Sequence, residues 1–207
     1  MEPPIRLRKP AQARTQDRVA RAILAAEKLL VEIGPEEVSI PDIAEASGVP
    51  RASLYQFYAN KHQLFAAIAE KHLARVADEI KQGGDLLAGM RWQDCVPLLV
   101  RAASSYYNQN PVAGILILGW PMSRASYMAQ EVTIENIGDE LRHIFRTLNP
   151  PVELPAEPDV ATIVTELAFA CMKYGYYRDG VISDDIMEQA AVAAIGYLTQ
   201  VLPPEVR

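Results

Sequence analysis

Apolar positions along the chain recur at steps of three and four, and nowhere alternate with period two over a useful length. That is the spacing of helix faces and argues against a sheet. Val19, Ile23, Ala26, Leu30 and Ile33 mark one face of a helix. Thr15 is its expected cap, Asp17 sits in its first turn near the positive end of the dipole, and Gly34-Pro35 is its expected end. Ser39 then precedes Ile40-Pro41-Asp42-Ile43-Ala44-Glu45-Ala46, which predicts a short helix over 39–46 with a serine cap and a proline in the first turn. Ser47-Gly48-Val49 breaks it. A further helix over 50–58 turns Leu54 and Phe57 or Tyr58 inward, and Ala59-Asn60 ends it. A long helix from Lys61 to about Gln82 follows, with Leu64, Phe65, Ile68, Val76 and Ile80 on its buried side and Gly83-Gly84 as its expected stop.

The second half continues in the same period. A helix is predicted from about Asp94 to Asn108, with Pro97 in its first turn, where a missing amide hydrogen costs little. Asn110-Pro111 opens a short apolar helix that Gly119-Trp120-Pro121 interrupts. Ile134, Ile137, Leu141, Ile144 and Leu148 mark a helix ending at Asn149-Pro150-Pro151, and the four prolines within 149–158 make a loop. Two helices, 159–178 and 183–202, close the chain, separated by Asp179-Gly180. The pattern predicts an all-α fold of about nine helices, with no internal repeat.

Composition narrows the classes. The chain has 207 residues, half of them apolar and 22% charged. That excludes collagen-like, coiled-coil and globally disordered chains. The longest apolar run, Val112 to Trp120, is nine residues with two glycines, far short of the ~20 a membrane helix needs. Met-Glu-Pro-Pro and the basic residues Arg6, Arg8 and Lys9 have no apolar stretch after them, so no secretory signal is expected. Cys95 and Cys171 form no CxxC pair, and the histidines at 62, 72 and 143 lack zinc spacing. Neither a metal nor a cofactor is expected, and the expected compartment is a reducing cytoplasm. The net charge of −6 is uneven: residues 1–75 carry eleven Lys/Arg against nine Asp/Glu, and residues 76–207 nine against seventeen. The first 21 residues hold six Lys/Arg and two acids. Such an arm suits a phosphate backbone, because neutralising phosphates releases counterions; a polar tail accounts for it equally.

The helices 39–46 and 50–58, joined by a three-residue turn with glycine, have the form of a helix-turn-helix. Gly48 suits a tight turn that needs positive φ. Ile43, Ala44, Val49 and Leu54 form the small core that fixes the interhelical angle, and Arg51, Ala52, Ser53, Tyr55 and Gln56 are left outward. Arg51 has the fork for guanine edges and Gln56 the amide for adenine. Ser53 and Tyr55 can hydrogen-bond phosphate. Ala52 permits close approach, and its methyl can meet a thymine methyl. Taken singly, each residue is also an ordinary surface residue, and the motif alone is also ordinary helix packing.

The stretch from Val38 to Phe65 resembles the TetR (tetracycline repressor) family at Ser39, Ile43, Ala44, Gly48, Val49, Leu54, Tyr55, Asn60, Lys61 and Leu64, and Phe57-Tyr58 stands for the family's aromatic pair. The preceding helix, with Ala22-Ile23-Leu24-Ala25-Ala26 and Glu32-Ile33-Gly34, resembles the family's opening. The likeness covers about residues 14–75; beyond that only helical content and length agree. It implies DNA contacts at Ser39, Arg51, Ala52, Ser53, Tyr55, Gln56 and Phe57, and a phosphate held at Lys61 where a helix begins. Two departures stand out: Pro50 where Ser or Thr often caps the recognition helix, and Pro41 where a basic residue is common.

The resemblance and the pattern together predict an N-terminal helix-turn-helix domain over 1–60, with a basic arm over 1–14, and a C-terminal helical ligand-binding and dimerisation domain over 61–207. Residues 85–178 are rich in aromatics and methionine and are interrupted at Gly114, Gly119, Pro121 and Gly138. Broken helices can leave a cavity lined by such residues, or simply pack a core; Trp120, Tyr106 and Phe169 are the candidate ligand-binding residues. The acid excess suits cationic ligands, though solvated helix faces explain it as well. The last two helices carry apolar stripes at 160, 163, 167, 171 and 174 and at 187, 190, 194, 198 and 201, plus apolar residues off the stripe. That excess predicts a second buried face, hence a homodimer through 159–178 and 183–202. No nucleophile–base pair, glycine-rich phosphate loop or carboxylate constellation is present, so an enzyme is not expected. The expected partners are a double-stranded DNA operator, a small-molecule effector and a second copy of the chain, with no membrane. The expected function is a ligand-responsive repressor released from a palindromic operator. The alternatives are a helix-turn-helix scaffold with a protein-interaction role and a transcriptional activator.

Overall fold

A computed structural model describes residues 11–119 and 124–206. Its nine α-helices are α1 (Ala11–Glu37), α2 (Ile40–Ser47), α3 (Arg51–Phe57), α4 (Lys61–Leu87), α5 (Trp92–Gln109), α6 (Pro111–Ala113), α7 (Arg124–Thr147), α8 (Val160–Asp179) and α9 (Asp184–Val201). A π-helical segment, Gly114–Gly119, follows α6, and a 3-10 turn spans Pro204–Val206. The fold is all-α, and no strand occurs among the described residues. No helix among them is long and apolar enough to cross a membrane. The chain divides into two compact units between Phe65 and Ala66.

In the first unit, α1 packs on α2 and α3. Ala22, Ala26 and Leu30 are fully buried at four-residue steps, so α1 presents a narrow seam against which short helices can lie close. Two expectations fail here. Thr15 lies exposed within α1, which is already helical at Ala11, so it is not the N-cap of that helix. Ile33 is 47% exposed. Gly34, at φ 80°, breaks the helical path, and Val38 beyond the kink is the residue that is buried.

The second unit is built around the α8–α9 hairpin, with α5 against α9 and α7 against α8. The hairpin is tight because Gly175 has no side chain: a Cβ there would stand 2.9 Å from Ile186 Cγ1 and Cγ2. Asn108 of α5 clamps the connection, donating from Nδ2 to Ile182 O at 2.8 Å and accepting from Ile182 N at 2.9 Å. Asp159 caps α8 by accepting from Thr162 N at 2.9 Å and from Thr162 Oγ1 at 2.8 Å, and it pairs with Arg142. Burial pushes its carboxyl up, but the Thr162 donors and the Arg142 guanidinium outweigh that and hold it below the ordinary carboxylate range.

Three further expectations are corrected. Gly83-Gly84 does not stop α4, which runs on to Leu87. Gly84 is buried, and a Cβ on it would lie 3.0 Å from Ile144 Cγ1 of α7, so this glycine serves close packing. Pro97 sits in the second turn of α5, not the first, because α5 begins at Trp92. That indole is buried, and its Nε1 donates to Val206 O at 2.6 Å. On α8 the predicted stripe is only partly inside the chain. Val160 is buried, Ile163, Leu167 and Cys171 are half-buried, and Tyr174 is exposed. The buried positions are Ala161, Val164, Thr165, Phe169, Met172 and Gly175.

Candidate nucleic-acid interface and ligand cavity

The helix-turn-helix is assembled by local chemistry. Ser39 caps α2 in a reciprocal box: its side chain accepts from Asp42 N, while its own N–H donates to Asp42 Oδ2 at 3.0 Å. Its hydroxyl is thus committed to the cap. Gly48 ends α2 in the left-handed region at φ 63°, where a side chain costs ~1–2 kcal/mol. Ile43, Ala44, Val49 and Leu54 are all buried, as the four-residue core of the motif requires. Burying a leucine such as Leu54 contributes roughly 1.5–3 kcal/mol, enough to hold a seven-residue helix that would not persist alone.

With Leu54 inside, α3 turns Arg51, Ala52, Tyr55 and Gln56 to solvent. Ser53 and Phe57 are half-buried. Pro50 precedes α3 and gives no side-chain cap. Two arginines of α1 brace the motif. Arg18 Nη1 donates to Ser53 Oγ at 3.3 Å, and Arg21 Nη1 donates to Ser47 O at 3.1 Å. The latter places positive charge at the C-terminal end of α2, where the dipole favours it. Lys61 is half-buried, and its ammonium donates to Pro35 O at 3.1 Å and Glu36 O at 2.7 Å. These are carbonyls just past the Gly34 kink, so the lysine ties the start of α4 to the end of α1. Asn60 Oδ1 accepts from Gln63 N at 3.0 Å and sets where α4 begins.

In the second unit a cavity of about 70 Å³ lies among α4, α5, α7, α8 and α9. Phe169 is in its wall, with Val76, Ile80, Leu141, Phe145 and Met172 among others. Tyr106 is not. It is buried, and its hydroxyl lies 2.7 Å from His72 Nδ1. A chain of edge-to-face rings runs from Tyr106 to Tyr107 and on to Phe169, with centroids 5.9 Å apart at each step.

Residues 22–68 match the sequence model described as bacterial regulatory proteins, tetR family. Over that stretch the chain is similar to the TetR family. Among solved structures, a TetR-family transcriptional regulator from Streptomyces coelicolor superposes with a TM-score of 0.71 at 20% identity, covering 89% of this chain and 99% of that one. A TetR transcriptional regulator from Rhodococcus sp. RHA1 gives 0.69 at 19%, over 91% and 99%. RolR in complex with resorcinol gives 0.64 at 19%, over 94% and 98%. No curated protein sequence matches the chain.

The four exposed α3 residues stand together on one face, with Ser53 held beside them by Arg18. Ser39 and Lys61 are engaged within the unit by their side chains. Trp120 lies outside the described residues, as do residues 1–10 of the basic arm. Arg18 and Arg21 were missing from the residues singled out by sequence. Their signal was present, since they stand three apart on the helix preceding the motif, but only the fold shows that this edge meets α2 and α3.

Proposed function

We infer that this chain is a transcriptional regulator of the TetR family, a ligand-responsive repressor that leaves a palindromic operator when a small molecule enters the second unit. The observation that carries the reading is the α3 face: Arg51, Ala52, Tyr55 and Gln56 exposed on a helix whose Leu54 is fully buried. A side chain anchors the helix from behind while its front offers a guanidinium, an amide, a phenol and a methyl, the groups that read major-groove edges and phosphates. Ser53, Phe57, Ser39 and Lys61 are assigned to the rim, with Lys61 offering its backbone N–H at the start of α4.

One motif reads only a half-site. The α8 face left half-buried or exposed, with Ile163, Leu167, Tyr174 and Tyr177, and the exposed Val192 and Gly196 of α9, supply the apolar surface for a second copy. A homodimer through these two helices would set two α3 helices about 34–36 Å apart, one duplex turn. Helix α4 contributes Lys61 to the first unit and Val76 and Ile80 to the cavity wall of the second. A ligand pressing on Val76 or Ile80 would therefore act on the helix that begins at the DNA-reading unit. Ligand and operator would oppose each other through a coupling of ~1–3 kcal/mol. RolR, in its structure with resorcinol, shows that a chain of this fold holds a small molecule.

Gel-shift titration of the protein on the DNA upstream of its own gene tests this reading. The expected result is sequence-selective, salt-dependent retardation, weakened at least about fivefold by Tyr55→Ala, which removes a phosphate or base contact. Weak retention indifferent to sequence and to Tyr55 would indicate a scaffold role.

A further inference from the structure

Among the described residues the cavity wall contains no Lys, Arg, Asp, Glu or His. The one hydroxyl among them, Thr165 Oγ1, already donates to Ala161 O at 2.8 Å. An ion entering this space would lose its hydration with no counter-charge to replace it. The acid excess of residues 76–207, which suited a cationic ligand, is not in the wall.

Next to that wall lie two buried hydroxyls left unpaired among the described residues. Val96, Val100 and Ala103 line the cavity from one face of α5, and Tyr107 is the next position on that face. Its ring meets the wall residue Phe169 edge-on. Ser104 adjoins Ala103 and stands three residues before Tyr107, one turn away on the helix. Ser104 is 0% and Tyr107 1% exposed, and neither Ser104 Oγ nor the Tyr107 hydroxyl has a hydrogen-bond partner among the described residues. Buried hydroxyls left unmet are rare because each costs its full desolvation. A pair of them on neighbouring turns beside an apolar cavity is accounted for by a ligand that supplies the missing group. Burial pushes the Tyr107 phenol well above its ordinary range, with Tyr106 adding to the effect. The group is therefore a neutral donor at any physiological pH.

We propose that the effector is a small uncharged molecule with an apolar body and a single hydroxyl or carbonyl, the body in the cavity and the oxygen at Tyr107 and Ser104. This rests on the ligand-responsive reading above and gives it a ligand chemistry.

Four probes on one skeleton test it against the full-length protein by isothermal titration: benzyl alcohol, toluene, benzylammonium and benzoate. Benzyl alcohol is expected to bind saturably, toluene several-fold more weakly, and neither ion at the same concentrations. Tyr107→Phe keeps the ring and removes the hydroxyl. It should weaken benzyl alcohol roughly two- to tenfold and leave toluene unchanged. Ser104→Ala is the second variant, with the same expected pattern, should the first fail to fold. An ion that binds as well as the alcohol, no saturable binding by any probe, or an alcohol-to-toluene ratio unchanged in the variants overturns the proposal. The operator titration is kept separate. If the alcohol binds as expected but leaves DNA affinity unmoved, the ligand chemistry stands and the ligand-responsive reading fails.

Discussion

Replacing Gly48 by alanine isolates what the turn of the helix-turn-helix requires. The residue sits at φ 63°, and a Cβ built there meets nothing nearer than Arg21 Nη1 at 3.8 Å, an ordinary contact. Space is therefore not the obstacle, and the cost is the left-handed backbone alone, ~1–2 kcal/mol. The alanine chain is less free when unfolded, which returns about 0.4–1 kcal/mol. A net loss of about 1 kcal/mol remains, near a fivefold rise in opening of the motif. Asparagine tolerates the left-handed region, so Gly48→Asn should lose less than half of that. Gly175→Ala is the contrasting case. Its backbone is ordinary helix, but the added Cβ stands 2.9 Å from Ile186, so the cost is overpacking at ~1–3 kcal/mol, and trimming Ile186 rather than adding asparagine should relieve it. Native-state hydrogen exchange on the full chain reads both, through the amides of α3 for Gly48 and of α8 for Gly175. If Gly48→Asn loses as much as Gly48→Ala, or if Gly48→Ala costs above about 3 kcal/mol, the conformational account of the turn is wrong.

Two other outcomes follow from the second unit. Asp159→Ala removes the α8 cap and should cost about 1 kcal/mol at pH 7. The folded carboxyl titrates below its ordinary value, so its stabilisation is present above that value and lost as pH falls through the folded one. In urea unfolding, the gap between parent and variant should therefore close below about pH 4. Leu167→Glu places a charge on the half-buried α8 face. It should raise the dimer dissociation constant at least about a hundredfold, by desolvating two unpaired carboxylates across a two-fold axis. Light scattering that still finds a dimer at micromolar concentration would move the interface elsewhere.

Helix faces with one buried side were legible from the sequence. Ile134, Ile137, Leu141, Ile144 and Leu148 all turn out buried, because α7 and its exit turn present a single apolar stripe. So do Ile43, Ala44, Val49 and Leu54, where short helices leave no alternative register. Legibility fails where a local signal depends on a distant partner. Gly84 breaks nothing because Ile144 occupies the space a side chain would take. Trp92 draws the start of α5 back through a carbonyl 114 positions away. In α8 the apolar residues run round most of the helix, so periodicity could not say which stripe faces the chain and which is left over. Aromatic content is a poor guide to the cavity, because its wall is largely aliphatic, and aliphatic residues lining a void look the same in sequence as those filling a core. Of the candidates, Phe169 is in the wall, whereas Tyr106 is turned to His72.

In a dimeric repressor of this kind, two α3 helices would enter successive major grooves of one operator. Methylation protection of guanine N7 on the DNA upstream of the gene measures this directly, because N7 lies in the major groove. Two protected patches are expected on one face of the duplex, centred about 10 base pairs apart or a multiple of that, both lost in Tyr55→Ala. A single patch, protection spread evenly along the fragment, or protection unchanged in the variant would contradict it.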